Sequence, residues 1–290
     1  MGFNKIADYI KFAKIAEKKL NCKIYIVGGY VRDKILKLKS VDLDFVVEGI
    51  KGQRNRGTEG QKVAEAFHKK FDGKLTVYKK FLTASLKLKN GFVIDIATAR
   101  VEKYPTPAAM PVVFPARIEE DLKRRDFTIN ALAIPLPSPL YPLPSVIDVC
   151  GGLNYLKKKL IRVLHKKSFT DDPTRILRAI RYANRFNFKI EENTEKWLVE
   201  AIKKNLLALV SPPRIRDEFI KVLSEKKAKK ILTEFKKRKI LKYIDSKLDI
   251  SAIYGKKESV KSRLEKLIGN FTTEQKKSFL QKLCLPAKIS

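Results

Sequence analysis

Lys23-Ile-Tyr-Ile-Val-Gly-Gly-Tyr-Val-Arg-Asp33, followed shortly by Asp42-Leu-Asp-Phe-Val-Val47, is the stretch on which the fold turns. Lys23–Val27 is short and β-rich, and it ends on paired glycines. From Tyr30 to Leu38 the apolar residues Val31, Ile35 and Leu36 take helical spacing, so strand passes into helix through Gly28-Gly29. Asp42–Glu48 reads as a second strand. On a strand, residues two apart project from one face, so Asp42 and Asp44 stand together while Leu43 and Phe45 go to the other side. Two adjacent carboxylates repel unless a cation lies between them. Mg²⁺ suits such a pair, because it takes one or two carboxylates plus substrate phosphates. The glycines let backbone approach a phosphate closely, and the helix start favours an anion. Arg32, one turn in, is placed to pair with a triphosphate. By itself an Asp-x-Asp is as readily a solvated strand edge, and a Gly-Gly a tight turn. It is their spacing that points to chemistry.

Outward from this pair, strand and helix alternate. A Gly-rich loop is expected over Gly49–Gly60 and a helix over Gln61–Phe71. Strands follow at Lys74–Tyr78, Thr83–Leu88 and Phe92–Ala97, the last two joined by an Asn90-Gly91 turn. Asp95 lies in the apolar strand Phe92–Ala97, where an acid must be paired, bind metal or face solvent. Completion of the metal site and structural pairing both remain open for it. A proline-bearing loop is expected over Tyr104–Pro115, a helix over Ile118–Arg125, and an extended surface excursion over Pro135–Pro144. After Gly151-Gly152 the pattern becomes helical to the end, broken at Ser211-Pro-Pro213 and near Gly255 and Gly269.

Composition narrows the partners. Lys and Arg number 63 against 31 Asp and Glu, a net charge of +32, and the C-terminal half is the more cationic. Such a chain attracts polyanions, with nucleic acid first because phosphate binding releases condensed counterions. A lysine-biased proteome would produce part of the same excess. No apolar run reaches about 18 residues, which argues against a membrane span, and the amphipathic segment Met1–Lys19 lacks a signal-peptide cleavage pattern. Cys22, Cys150 and Cys284 are odd in number and widely separated, so no disulfide framework or zinc spacing is present, and a reducing cytoplasm is expected. With His68 and His165 the only histidines and neither in a recognisable triad, the chemistry must run without a His base, which points towards metal ions and carboxylates.

Longer motifs give a resemblance. Ile26–Asp33 with Asp42-Leu-Asp44, then Glu120-Asp-Leu-Lys-Arg-Arg-Asp-Phe-Thr-Ile-Asn-Ala131, then Asp171-Asp-Pro-Thr-Arg-Ile-Leu-Arg-Ala-Ile-Arg-Tyr182, and more loosely Ser211-Pro-Pro-Arg-Ile-Arg-Asp-Glu218, resemble the ordered motifs of the class II tRNA nucleotidyltransferases and bacterial poly(A) polymerases, within the polymerase-β-like superfamily. The likeness covers roughly residues 20–225. It implies an α+β fold, with a nucleotidyltransferase head of mixed sheet and helices over 1–150. An all-helical remainder would comprise a neck over 151–225 and a short basic body over 226–290. It implies template-independent addition of C, A or both to a tRNA 3′ end, with CTP or ATP as substrate and the acceptor arm as partner. By resemblance Asp42 and Asp44, with Asp95 as a third candidate, hold Mg²⁺ in a two-metal reaction. Gly28, Gly29, Arg32, Arg125, Asp126, Asn130, Arg178 and Arg181 would bind the nucleotide, and Asp172 and Arg175 would read its base. Poly(A) synthesis on RNA 3′ ends shares these motifs. A catalytically silent RNA-binding protein is the other alternative, and the intact acids argue against it.

The third motif has its own geometry. On a helix with 100° between residues, Arg175, Arg178, Arg181 and Arg185 fall within about 120° on one side, Asp172 at its edge, with Ile176, Ile180 and Ala183 elsewhere. Asp172 before Pro173 is also a good helix start, so cap and functional group are both open. A carboxylate can accept from the exocyclic amino group of cytosine or adenine while an Arg donates to the neighbouring ring nitrogen; uracil and guanine present a carbonyl there instead. Where the family usually has Glu at the head of this motif, Asp171 stands here. Arg124-Arg125 alone reads as a solvated helix end. The clusters Lys226, Lys227, Lys229, Lys230 and Lys236, Lys237 are candidates for gripping RNA backbone. Trp197 and Phe186 read as core.

Overall fold

The computed structural model describes residues 3–40, 42–50, 57–137, 146–254 and 258–286. The centre of the Gly49–Gly60 loop, most of the Pro135–Pro144 excursion and the break at Gly255 lie outside them. The chain divides into two compact units, one of residues 1–105 and 110–158, the other of residues 106–109 and 159–290.

The first unit contains α1 (Phe3–Lys19), β1 (Cys22–Val27), α2 (Gly29–Ile35), β2 (Asp42–Gly49), α3 (Glu59–Lys70), β3 (Gly73–Tyr78), β4 (Thr83–Leu88), β5 (Val93–Thr98), β6 (Arg100–Lys103), β7 (Val112–Pro115), α4 (Ile118–Lys123), β8 (Ala133–Pro135) and α5 (Gly152–Lys157). Six strands form one mixed sheet in the order β3-β4-β5-β2-β1-β8. Only β2 and β5 run parallel in it, since the crossover between them carries α3 and the β3–β4 pair. Leu43 and Phe45 are sealed on the face covered by α3, where Phe45 meets Phe67 at 5.6 Å between ring centroids and Phe12 of α1 meets Phe67 at 5.0 Å. Burying these rings stabilises the sheet by about 1.5–3 kcal/mol each. The packing also fixes the register, because a slip of one residue would turn Leu43 and Phe45 to the acidic face.

Two expectations need correction. Residues 104–115 are not loop throughout: Val112–Pro115 pairs antiparallel with Arg100–Lys103. Val112, Val113 and Phe114 are strong strand formers, and the surrounding prolines masked them. Pro135 ends a strand rather than opening an excursion, and it sits on β8, a sheet edge where a missing N–H is tolerated. Near the end of the unit, Asp148 accepts hydrogen bonds from the Gly152 and Leu153 amides at 2.7 and 2.9 Å. A Cβ on Gly152 would stand 2.3 Å from the Thr128 carbonyl oxygen. Gly152→Ala is therefore expected to cost about 1–3 kcal/mol or more through overpacking against backbone, read as a lower urea midpoint at unchanged m-value.

The second unit contains β9 (Leu160–Ile161), α6 (Ser168–Asp171), α7 (Thr174–Phe186), β10 (Lys189–Ile190), α8 (Glu192–Lys203), α9 (Pro212–Leu223), α10 (Ala228–Lys237), α11 (Val260–Leu267) and α12 (Thr273–Lys282). It is helical as expected, apart from the short parallel pair β9–β10. Ile176, Ile180, Phe219, Ile231, Leu232 and Phe235 are buried among its helices, and Pro212-Pro213 open α9 at its first turn, where no N–H is needed. Among the described residues no helix is long and apolar enough to cross a membrane.

Candidate active site

In the head unit the register decides what meets. Val27, the last residue of β1, lies opposite Asp44, so the turn that follows comes down beside the acidic face of β2. Gly28 has φ 68°, a left-handed conformation that side chains disfavour. A Cβ there would lie 3.0 Å from Arg125 Nη1 and 3.4 Å from Asp44 Oδ2; one on Gly29 would lie 3.5 Å from Arg32 Nη2 and 4.0 Å from Asp42 Oδ1. The glycines are what allow turn, arginines and acids to share one place.

Across the sheet, Asp44 pairs in register with Asp95, and Asp95 with Ser85 of β4. Three carboxylates thus gather on one face. Burial, then repulsion from Asp42 and Asp95, pushes the Asp44 pKa up to about 7, against the pull of Arg125 and Arg32. Burial and Asp42 raise Asp95 as well, while a hydrogen bond from Ser85 works the other way. A cavity of about 310 Å³ opens over this face, lined by Asp44, Asp95, Ser85, Arg125 and Tyr78 among others. Among the described residues no group of three or more His, Cys, Asp or Glu side chains is placed to hold a metal ion, so Asp95 is not set as a third ligand beside Asp42 and Asp44. An open set of hard oxygen donors fits Mg²⁺, which keeps several positions for water and phosphate, better than a cation held by protein alone.

The second motif supports the same place. Asp121 is fully buried and holds Arg124 Nη2 at 2.6 Å and Arg125 Nη2 at 3.0 Å, and Arg124 Nη1 also reaches Glu102 at 2.7 Å. Burial alone would raise the Asp121 pKa, but the two guanidinium groups hold it below the ordinary carboxylate range. Asp121 takes Nε and Nη2 of Arg125, and Nη1 is the end that reaches the glycine turn. Arg32 is engaged by partners within the protein. It is buried, donating to Asp33 at 2.8 Å and to the Asn130 side chain at 2.6 Å, and Asn130 in turn donates to Asp126 at 2.9 Å. Arg32, Asp126 and Asn130 therefore tie the first motif to the second.

In the second unit Asp172 serves the helix start and also carries an ion pair. Its Oδ1 accepts from the Thr174 amide at 3.0 Å as α7 begins, and it pairs with Arg214 Nη2 at 2.8 Å. Arg214, from the Ser211–Glu218 motif, also donates to the Ala108 carbonyl at 2.7 Å. The arginine face of α7 is largely withdrawn from solvent, with only Arg185 of the four exposed. Arg175 and Arg181 are buried; Arg178 pairs with Glu218 at 3.2 Å, and Arg181 with Glu218 at 3.4 Å and Glu225 at 3.2 Å. Burial alone would raise the Glu218 pKa, but Arg178, Lys221 and Arg181 hold it low. Phe186 stacks on Tyr182 at 5.7 Å, and Trp197 is half-buried. Lys226, Lys227, Lys229, Lys230, Lys236 and Lys237 are all exposed. Ser85 and Arg214 were not singled out from the sequence as site residues. Ser85 was legible only through its register opposite Asp95.

Residues 24–162 match the family described as Poly A polymerase head domain, and residues 187–249 match Probable RNA and SrmB-binding site of polymerase A. The solved Thermotoga maritima CCA-adding enzyme complexed with tRNA(CCA) superposes with TM-score 0.72 at 35% identity, over 97% of this chain and 67% of that one. The chain belongs to the tRNA nucleotidyltransferase and poly(A) polymerase family. Within that family, an A-adding tRNA nucleotidyltransferase of Aquifex aeolicus is 42% identical over 222 residues, covering 77% of this chain and 26% of that protein. A CC-adding tRNA nucleotidyltransferase of Deinococcus radiodurans is 34% identical over 207 residues, covering 70% and 50%. The chain thus spans between a quarter and a half of these two family members' length. The head match takes in the glycine turn, the acids and the Arg124-Arg125 motif.

Proposed function

We propose that this chain is a nucleotidyltransferase that moves CMP or AMP from CTP or ATP onto the 3′-hydroxyl of a tRNA, without a template. The observation that carries the reading is the approach of Asp42, Asp44 and Arg125 to the Gly28-Gly29 turn, with Asp44, Asp95 and Arg125 lining an open cavity beside it. Relatives named as A-adding, CC-adding and CCA-adding enzymes support the reaction class.

The roles proposed here join this placement to the family resemblance. Asp42 and Asp44 would hold Mg²⁺, with Asp95 beside them. When bound, the ion supplies charge for the attacking 3′-oxygen and for the departing pyrophosphate. The backbone at Gly28 and Gly29 and the Nη1 end of Arg125 offer donors where triphosphate charge builds up. Ser85 holds Asp95 in orientation. Arg32, Asn130 and Asp126 keep the turn in the shape that lets phosphate approach. In the neck, Asp172 and Arg175 read the base edge, and Arg178 and Arg181, braced by Glu218 and Glu225, add positive charge nearby on the helix.

The test is incubation with Mg²⁺, each nucleotide separately, and tRNA transcripts ending just before CCA, after C, or after CC. One to three added residues, drawn only from CTP or ATP, is the expected result. Long A tails on any RNA would shift the assignment to poly(A) synthesis, and no incorporation on any transcript would overturn the reading.

A further inference from the structure

Tyr254 is 79% exposed, more than any other large hydrophobic side chain among the described residues. Its neighbour Ile253 is 2% exposed and anchors the backbone, so the ring stands out from a fixed base. Two cations from different helices lie over it, with Lys229 Nζ of α10 at 5.2 Å from the ring centroid and Lys266 Nζ of α11 at 5.8 Å. Lys229 is held there by donating to the Ser251 carbonyl at 3.2 Å, and Lys266 by Glu258 at 2.8 Å. Beside the ring opens a cavity of about 290 Å³, lined by Lys226, Lys227, Lys229, Lys230, Tyr254 and Arg263. The floor is rigid: Arg263 is buried and donates to the Leu223 and Glu225 carbonyls at 2.5 and 2.6 Å. The acids at the margin are engaged, Glu258 with Lys266 and Asp249 with the Ser251 amide at 3.0 Å.

The geometry points to a binding site for an unpaired nucleotide of RNA, the base laid on Tyr254 and the flanking phosphates held by the lysines. An exposed ring wedged among cations has one matching ligand chemistry: a planar base joined to anions. Base–aromatic stacking is tolerant of sequence and adds to backbone electrostatics on single strands. A duplex would satisfy the lysines yet keep its base faces covered. This assignment rests on the reading that RNA is the substrate. It extends past the family's RNA-binding match, which stops at residue 249, to Tyr254 and Lys266.

The test is fluorescence anisotropy of a labelled single-stranded RNA 12-mer and of a hairpin of equal phosphate count. It is run on the whole chain in EDTA without nucleotide, so that transfer chemistry plays no part. Tyr254→Ala is expected to weaken single-strand binding roughly tenfold and hairpin binding little, while Tyr254→Phe keeps both. Lys229→Ala is expected to shrink the salt slope for the single strand by about 0.7. Equal binding of the single strand by Tyr254→Ala and the unaltered protein, with unchanged melting temperatures, would overturn the site. So would equal losses for strand and hairpin, or displacement of the RNA by an acidic peptide of matched charge. If the protein transfers no nucleotide to tRNA yet shows the Tyr254-dependent binding, the proposed reaction fails and this site stands; transfer without that binding removes the site alone.

Discussion

Asp44→Asn is expected to abolish nucleotide transfer, by a factor of about a thousand or more, while binding to RNA largely survives. Loss of one metal-holding carboxylate removes several kcal/mol of charge stabilisation in the transition state, and each 1.36 kcal/mol is tenfold in rate. Asp42→Ala should behave alike, because both acids face the same turn. The metal-free protein offers an independent reading. Asp44 titrates near pH 7 in the fold, well above an ordinary carboxyl, because burial and then Asp42 and Asp95 oppose its charge. The folded state therefore keeps this proton to higher pH than the unfolded chain does. Its stability is greatest at acid pH with respect to this group, and declines as pH rises from about 4 to about 7. In EDTA, the decline in melting temperature across that window should be visible in the unaltered protein and shallower in Asp44→Asn. Mg²⁺ should restore stability at pH 8, and its affinity should fall by about tenfold per pH unit below 7 as protons compete. Transfer by Asp44→Asn within tenfold of the unaltered protein would refute the metal assignment.

Much of the head was legible because its signals are local. The Asp42–Asp44 alternation, the paired glycines and the Asn90-Gly91 turn each act over a few residues, and the structure places the corresponding strands within a residue or two of expectation. What sequence could not supply was partnership at long range. Nothing in Thr83–Leu88 says that Ser85 lands beside Asp95; that follows from a β4–β5 register. Helical spacing put Arg175, Arg178 and Arg181 on one face but gave no means of knowing that Glu218 and Glu225 would engage that face. Arg32 shows the same limit. One turn into a helix it reads as a phosphate ligand, and nothing local announces its bond to Asn130, 98 residues away. In each case the local pattern is visible in the sequence and the distant partner is not.

Asp172 carries the second large expected effect, and the structure changes how it must be tested. Asp172→Ala would remove the α7 start at Thr174 and the pairing with Arg214 together with the acceptor proposed to face the base. Losing a helix cap costs about 0.5–2 kcal/mol, so altered kinetics in that variant would mix folding with recognition. Asp172→Asn separates them. Asparagine caps a helix about as well as aspartate and can still accept from Arg214 and Thr174, but its amide can also turn a donor towards the base. A carboxylate rejects uracil and guanine because their carbonyls leave its acceptors unsatisfied, and a site built on such a hydrogen bond discriminates strongly. In Asp172→Asn, the kcat/KM ratio of CTP over UTP is expected to fall by roughly a hundredfold, with melting temperature within a few degrees of the unaltered protein. ATP over GTP should move in the same direction. Arg214→Lys is the companion variant: it keeps charge but loses the planar fork that touches both Asp172 and the Ala108 carbonyl. If Arg214 acts by orienting Asp172, that variant should lower selectivity less than Asp172→Asn does while lowering kcat for all four nucleotides together. A folded Asp172→Asn with the original preference for C and A would show that Asp172 is a cap and an ion-pair partner alone, and that base choice lies elsewhere on α7.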